Sequence, residues 1–435
     1  MKPGKHPGSK TKRLRPISWL GLLLIVVEVA LVYRLNQAIL PHDFGILDLA
    51  APSAHAGDVI GRETIQYYSP ADASKIIRRN YTAGIPGPAV AIEKITFRYR
   101  SQLPSGEMIT IYARAYLPDN YSTGLPTFAF APGTTGIGDQ CAASLEKPAT
   151  ANWGDYDAHM MAYASEGYAA VTTDYEGMRD PSRIHHYMVG ELEGRALLDS
   201  VRALRRLPEA HGRLAAHQVV LSGYSQGGHA AFWADKIAAK YSPDVHPLGI
   251  VGFGPVMSVK QTLTDITHGA NLDWFGPHVI YSYEDYYKHA YPNVLLPNRY
   301  ASLAAEVTAH CIDSDINYWG RTPANIYTPE FVTEATAGAL SDAFGQFSAD
   351  LDANTVGAVP TTSAKLINNG AQDIVVLPAQ QTAALPALCA SSLGPVQHVV
   401  YPAATHYDTM LQSFSDTLAW MHKVTGGDKI EPKCQ

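Results

Sequence analysis

Charge is scarce in this 435-residue chain, at 17% of residues, and beyond the amino terminus none of it gathers into a basic stripe. The later Lys and Arg residues occur at most in short clusters such as Arg205-Arg206, which read as a solvated helix face. A nucleic-acid partner leaves a basic patch as its footprint, so none is indicated. Cysteine is scarcer still: Cys141, Cys311, Cys389 and Cys434, none of them in a C-x-x-C pair. That spacing argues against a zinc site or a redox dithiol. No other cluster of metal-ligating residues stands out, and no cofactor is expected. Internal repeats and low-complexity tracts are also missing, which removes solenoids and disordered arrays from consideration. What is plentiful is apolar residues, at 46%, in a chain long enough for one large core or two domains.

The amino terminus differs from the rest. Lys2, Lys5, Lys10, Lys12, Arg13 and Arg15 precede an apolar run from Ile17 to Tyr33, broken only by Ser18 and Glu28, which is the pattern of a targeting segment. The best small-residue cleavage site, Ala54-His55-Ala56, lies 21 residues past Tyr33, so an uncleaved signal anchor through residues 17–33 is the alternative to cleavage. The run is short for a spanning helix, and Glu28 is costly in hydrocarbon, which favours cleavage. Either way the charge asymmetry keeps the amino terminus in the cytoplasm and exports residues 57–435, to a secreted or periplasmic location. Setting aside residues 1–56, with seven Lys or Arg and three Asp or Glu, leaves 26 basic and 37 acidic groups, a net of −11. All four cysteines lie in the exported part, where two disulfides are expected. Three connectivities are open, of which Cys141–Cys311 with Cys389–Cys434 is favoured.

Alternating runs at Ile92 to Arg100 and Met108 to Leu117, separated by Pro104-Ser105-Gly106, predict an antiparallel hairpin. Short continuous apolar runs follow at Thr127–Ala131, Ala169–Thr173, Val219–Ser222, Gly249–Phe253, Lys365–Asn368 and His398–Tyr401. Helical patterns fall at Tyr156–Glu166, Glu191–Leu207, Gly227–Tyr241 and Thr409–Val424. Continuous strands alternating with helices predict an α/β fold, a mostly parallel sheet with helices on both faces. From about Met257 to Val356 the rhythm stops, and the tyrosine-dense segment at residues 273–292 appears instead. An interruption of that length predicts an inserted, mainly helical cap or lid. Within it Leu340, Phe344, Phe347 and Leu351 keep helical spacing, which fits a buried helix better than a lid face. The predicted layout is a signal or anchor with linker at 1–56, the sheet-bearing core at 57–256 and 358–435, and the cap at 257–357.

Residues 218–230, QVVLSGYSQGGHA, read as a buried strand, a tight turn carrying Ser225, and a helix start. G-x-S-x-G alone arises by accident in roughly one chain in five of this length. Its context is the informative part: Val219 to Leu221 form the strand, and Gly228, Ala230 and Ala231 supply small residues where a helix must pack on a sheet. A serine attacks a carbonyl carbon when its oxygen projects from such an elbow, so Ser225 is the candidate nucleophile. The acid is expected after the penultimate strand, where NGAQD presents Asp373, and the base after the last, where ATHYD presents His406. Asp408 is a rival acid but reads as a helix cap. The order Ser, Asp, His is the one this elbow fold uses. Two backbone donors for a developing oxyanion are expected from Gln226 and from the loop Pro132-Gly133-Thr134-Thr135-Gly136, with Thr134 preferred and Thr135 second.

FAFAPGTTGIGDQCAAS, TDYEG at residues 173–177, GYSQGG, NGAQD and ATHYD together resemble the secretory lipase family of α/β-hydrolases over roughly residues 60–430. Family members typically read HGTTG where this chain has Pro132-Gly133-Thr134-Thr135-Gly136; the replaced histidine lies outside the triad, so the departure bears on loop geometry. The resemblance implies a capped hydrolase of carboxylic esters with Ser225, Asp373 and His406 as triad, a disulfide pattern like the one above, and a lid over an apolar acyl pocket. The implied partner is a small-molecule or lipid ester. Two other readings share the elbow: a hydrolase of another acyl bond, in acetylated polysaccharide or peptide, and a membrane-tethered binding protein without turnover.

Overall fold

The apolar runs assemble into one sheet, whose centre is buried on both faces. The computed structural model describes residues 55–433 apart from 82–86, 122, 266–273, 321, 339 and 341–342. The predicted targeting segment Ile17–Tyr33 and Cys434, hence the pairing Cys389–Cys434, lie outside the described residues. Among those described, no helix is long and apolar enough to cross a membrane.

The strands are β1 (Val59–Tyr68), β2 (Ile92–Gln102), β3 (Met108–Pro118), β4 (Leu125–Ala131), β5 (Ala169–Thr173), β6 (Leu214–Tyr224), β7 (Pro247–Phe253), β8 (Ala364–Gly370) and β9 (Val396–Tyr401). Their spatial order is β1-β2-β3-β5-β4-β6-β7-β8-β9. β1 to β3 pair antiparallel, and β3 joins β5 antiparallel. From β5 across to β9 every pairing is parallel. The predicted hairpin and parallel sheet are both present, and β1 is an additional edge strand.

Strand periodicity assigns side chains to the two faces. Ala129 of β4 with Val219 and Leu221 of β6 meet Leu197, Val201 and Leu204 of helix Gly190–Arg206 and Ala230 and Ala234 of helix Gln226–Tyr241. Phe128, Phe130 and Val220 point the other way, into a cluster with Met160 and Tyr163 of helix Tyr156–Ser165 and Trp420 and Met421 near the carboxyl end. A strand with both faces covered needs apolar residues at every position, and this is why these runs are continuous. The last helical pattern is divided into His406–Gln412 and Phe414–Gly426 at Ser413, whose ψ of −3° departs from the helical value.

Between β7 and β8 the described residues form helices Val259–Asp265, Phe275–Tyr287, Pro297–Ala309, Ile312–Trp319, Pro329–Thr336 and Gly345–Ala353. They surround a third apolar cluster that contains Leu340, Phe344, Phe347 and Leu351, all buried, with Phe331 against Phe344 at 5.3 Å between ring centres. The four are buried as expected, but only Phe347 and Leu351 lie in helix Gly345–Ala353; Phe344 is its non-helical N-cap and Leu340 lies in a turn. The dense tyrosines are structural in the same sense: Tyr283 donates to the Met188 carbonyl (3.0 Å) and Tyr291 to Asp350 Oδ2 (2.6 Å).

Candidate active site

β6 runs straight at helix Gln226–Tyr241, and Ser225 alone makes the turn, at φ 56° and ψ −114°. Side-chain-bearing residues avoid that region, so the surroundings must hold it. The Ser225 N–H donates to the Phe253 carbonyl (2.9 Å), and its own carbonyl accepts from the N–H of His229 (3.2 Å) and Val256 (3.3 Å). Two glycines make the turn sterically feasible. A Cβ at Gly223 would sit 1.9 Å from the Gly227 carbonyl oxygen, and one at Gly227 would sit 1.8 Å from the Ala131 carbonyl oxygen.

Asp373 follows β8 and is buried. Its Oδ1 accepts from the N–H groups of Val375 (2.8 Å) and Val376 (2.9 Å), which fixes the carboxylate plane. Its Oδ2 lies 2.6 Å from His406 Nδ1. His406 opens helix His406–Gln412 behind a capping box of Thr405 and Asp408, so Asp408 is a cap and not a second acid at the imidazole. The Tyr224 ring packs on His406 at 4.8 Å between centres. Behind the pair lies Gly254, at φ +52°, where a Cβ would come within 3.0 Å of the His406 ring. His406 Nε2 is buried and makes no hydrogen bond among the described residues. A carboxylate on Nδ1 fixes the tautomer that leaves Nε2 able to accept a proton.

The loop after β4 is tied down at each residue. Tyr175 donates to the Pro132 carbonyl (2.5 Å), the Gly133 N–H donates to Tyr156 Oη (2.9 Å), and Thr134 Oγ1 bonds Tyr187 Oη (2.7 Å). Burial raises the phenols of Tyr156, Tyr175 and Tyr187 well above their ordinary values, so all three stay protonated. The Thr135 carbonyl instead accepts from the Ile312 N–H (3.0 Å) of the helical insertion. Thr134 lines the cavity that Ser225 and His406 also line. Gln226 begins its helix, where backbone N–H groups lack intrahelical acceptors and the helix dipole favours negative charge.

That cavity has a volume of about 180 Å³, with Trp153, Tyr187, Val256 and Phe275 among its walls. Phe275 and Trp274 come from the insertion, which therefore forms part of the site. The disulfide Cys141–Cys311 anchors the insertion beside the loop after β4, and Gly136 pairs with Cys311 there. The bond closes a loop with a sequence separation of 170 residues. Replacing both cysteines by serine is expected to cost about 2–5 kcal/mol of stability, read as a lower thermal midpoint than that of the native chain when both are measured without reductant.

One buried group went unread in the sequence. Glu193 Oε1 accepts from the Gln226 side-chain amide (2.7 Å) and from the Met188 N–H (3.0 Å), while Oε2 faces His229 Nδ1 (2.8 Å). His229 Nε2 in turn faces the Asn354 carbonyl (2.7 Å). Gln226 also donates to His185 Nε2 (3.1 Å), whose imidazole burial holds below its ordinary value and so neutral. Glu193 thus positions the residue after the serine and reaches the end of the insertion. The available signal was an acid among Gly190, Gly194 and Leu197 at helical spacing, a face otherwise too small and apolar for a solvated charge.

His186 bridges core and insertion, with Nδ1 2.9 Å from Glu176 Oε2 and Nε2 2.9 Å from Asp285 Oδ2. Burial opposes its charged form, but the two carboxylates outweigh it and raise its pKa. Its contribution to stability is therefore full below about pH 6.5 and is lost as pH rises through the raised folded value. The gap in thermal midpoint between the native chain and His186→Gln is expected to be widest near pH 6, narrowing toward about pH 9.

The sheet order and the strand-turn-helix at Ser225 define an α/β-hydrolase fold. The chain belongs to the secretory lipase family, whose model matches residues 147–430, a span holding Ser225, Asp373 and His406. It is 34% identical over 104 residues to Lipase A of Moesziomyces aphidis, covering 24% of this chain and 21% of that one. The aligned stretch is thus about a fifth of that relative's length. Among solved structures it resembles the rice cell wall degrading esterase LipA of Xanthomonas oryzae, with a TM-score of 0.65 at 20% identity over 86% of this chain and 98% of the other. Candida antarctica lipase A in its closed state matches with a TM-score of 0.64 at 19% identity, covering 91% and 89%.

Proposed function

We propose that this chain is an exported hydrolase of carboxylic esters, with Ser225 as nucleophile, His406 as general base and acid, and Asp373 as the group that orients the imidazole. The observation that carries the reading is the 2.6 Å Asp373–His406 contact, with Nε2 unengaged and His406 lining the cavity that Ser225 also lines. In the acylation step Ser225 Oγ bonds to the acyl carbon as its proton passes to His406 Nε2. The ester C–O bond then breaks, and that proton leaves with the alcohol. Water, deprotonated by the same nitrogen, attacks the acyl-enzyme, releases the acid and restores Ser225. The backbone N–H groups of Gln226 and Thr134 are placed in the role of stabilising the oxyanion. Residues 257–357 are assigned as the cap. Export is supported by the Cys141–Cys311 disulfide and by the family's description as secretory.

Bond choice lives in the pocket and not in the triad, so the test is a substrate panel. The full chain is assayed on aryl esters, triglycerides, acetylated glycans and peptide amides. Turnover of aryl esters or triglycerides supports the reading, whereas turnover of amides with none of esters overturns it.

A further inference from the structure

We infer that the acyl site takes short chains, of about six carbons or fewer, an inference that rests on the ester-hydrolase reading of the same cavity. An apolar cavity of about 150 Å³ holds one benzene, a six-carbon guest, and sites for drug-sized ligands run from about 300 Å³ upward. At about 180 Å³ this cavity belongs with the former, and the leaving alcohol must share its mouth.

The walls are fixed by more than apolar packing. Tyr187 is held at its hydroxyl by Thr134 and packs edge-on against Phe275 at 5.8 Å and His278 at 6.1 Å. Behind that layer His278 and Asp315 are both fully buried, with Nε2 3.2 Å from Oδ2, and His278 Nδ1 donates to the Trp274 carbonyl (2.8 Å). Extending the cavity in that direction would break into this buried His278–Asp315 contact, whose groups have little else to offset their burial. On another side, Val256 is anchored through its N–H to the Ser225 carbonyl, so that wall moves only with the elbow. Met188, a further wall residue, sits at φ 61° and is held through its N–H by Glu193. A longer acyl chain that presses on these walls therefore has to displace residues that the rest of the fold holds in place.

The test is kcat/KM of the full chain on p-nitrophenyl acetate, butyrate, hexanoate, decanoate and palmitate, with tributyrin and triolein beside them. The expected result is a maximum at or below hexanoate and a fall of about 100-fold by palmitate, with tributyrin cleaved far faster than triolein. Phe275→Ala is expected to raise the ratio of decanoate to butyrate turnover by about tenfold, and Phe275→Leu, a milder loss of volume, by less. Palmitate turnover equal to or above butyrate would overturn the short-chain inference while leaving the ester-hydrolase reading intact. Absence of ester turnover at every length in folded protein would overturn both.

Discussion

Ser225→Ala is expected to lower ester turnover by about 10⁴- to 10⁶-fold while leaving the fold in place. The size follows from removing the only protein atom in the proposed scheme that bonds to the acyl carbon. What remains is the rise over water supplied by the oxyanion donors and by substrate binding, on the order of 10³-fold. Stability should hardly change, because the elbow is maintained by backbone contacts to Phe253, His229 and Val256 and by Gly223 and Gly227, none of which the substitution touches. A thermal midpoint within about 3 °C of the native chain is expected. Retention of more than a tenth of the native kcat would move the nucleophile elsewhere.

Asp373→Asn is the second large effect, expected to reduce kcat by about 10⁴-fold. Here the reason is directional. Oδ1 accepts two backbone N–H groups, from Val375 and Val376, and an asparagine can satisfy both only by placing its carbonyl oxygen there. Its NH₂ group then faces His406 Nδ1, which must become the acceptor, and the ring proton shifts to Nε2. The imidazole is left in the tautomer that cannot take a proton from serine. Shape and packing are nearly unchanged, so KM and the thermal midpoint should move little while kcat collapses. A variant within about tenfold of native kcat would mean that Asp373 does not orient the base.

The parts of this molecule that were legible in sequence are those where physics leaves few solutions. The strands β4 to β7 announced themselves because burial on both faces of the sheet's centre demands apolar runs, and the elbow because Gly223 and Gly227 have no room for a side chain. Asp373 and His406 could be placed because each lies in the loop after a readable strand. β1 was missed for the opposite reason: it is an edge strand exposed along most of its length, specified by its ladder to β2 and not by an apolar face. Helix Pro378–Ser391 carries no apolar periodicity and contains Pro386 in its interior, so neither usual signal was present. Glu193 was hidden differently. Its role depends on three partners, at 188, 226 and 229, that only the packing of two helices brings together. Volume is the remaining illegible quantity, since the walls of the cavity come from segments as distant as Trp153, Tyr187 and Phe275.

The most direct test of the central claim is to treat the full chain with a serine-directed fluorophosphonate and map the adduct by peptide mass spectrometry. The account predicts one adduct, on Ser225, formed at a rate that falls with Asp373→Asn in step with ester turnover. Well-folded protein that remains unlabelled, or that carries its adduct on another residue, would contradict it.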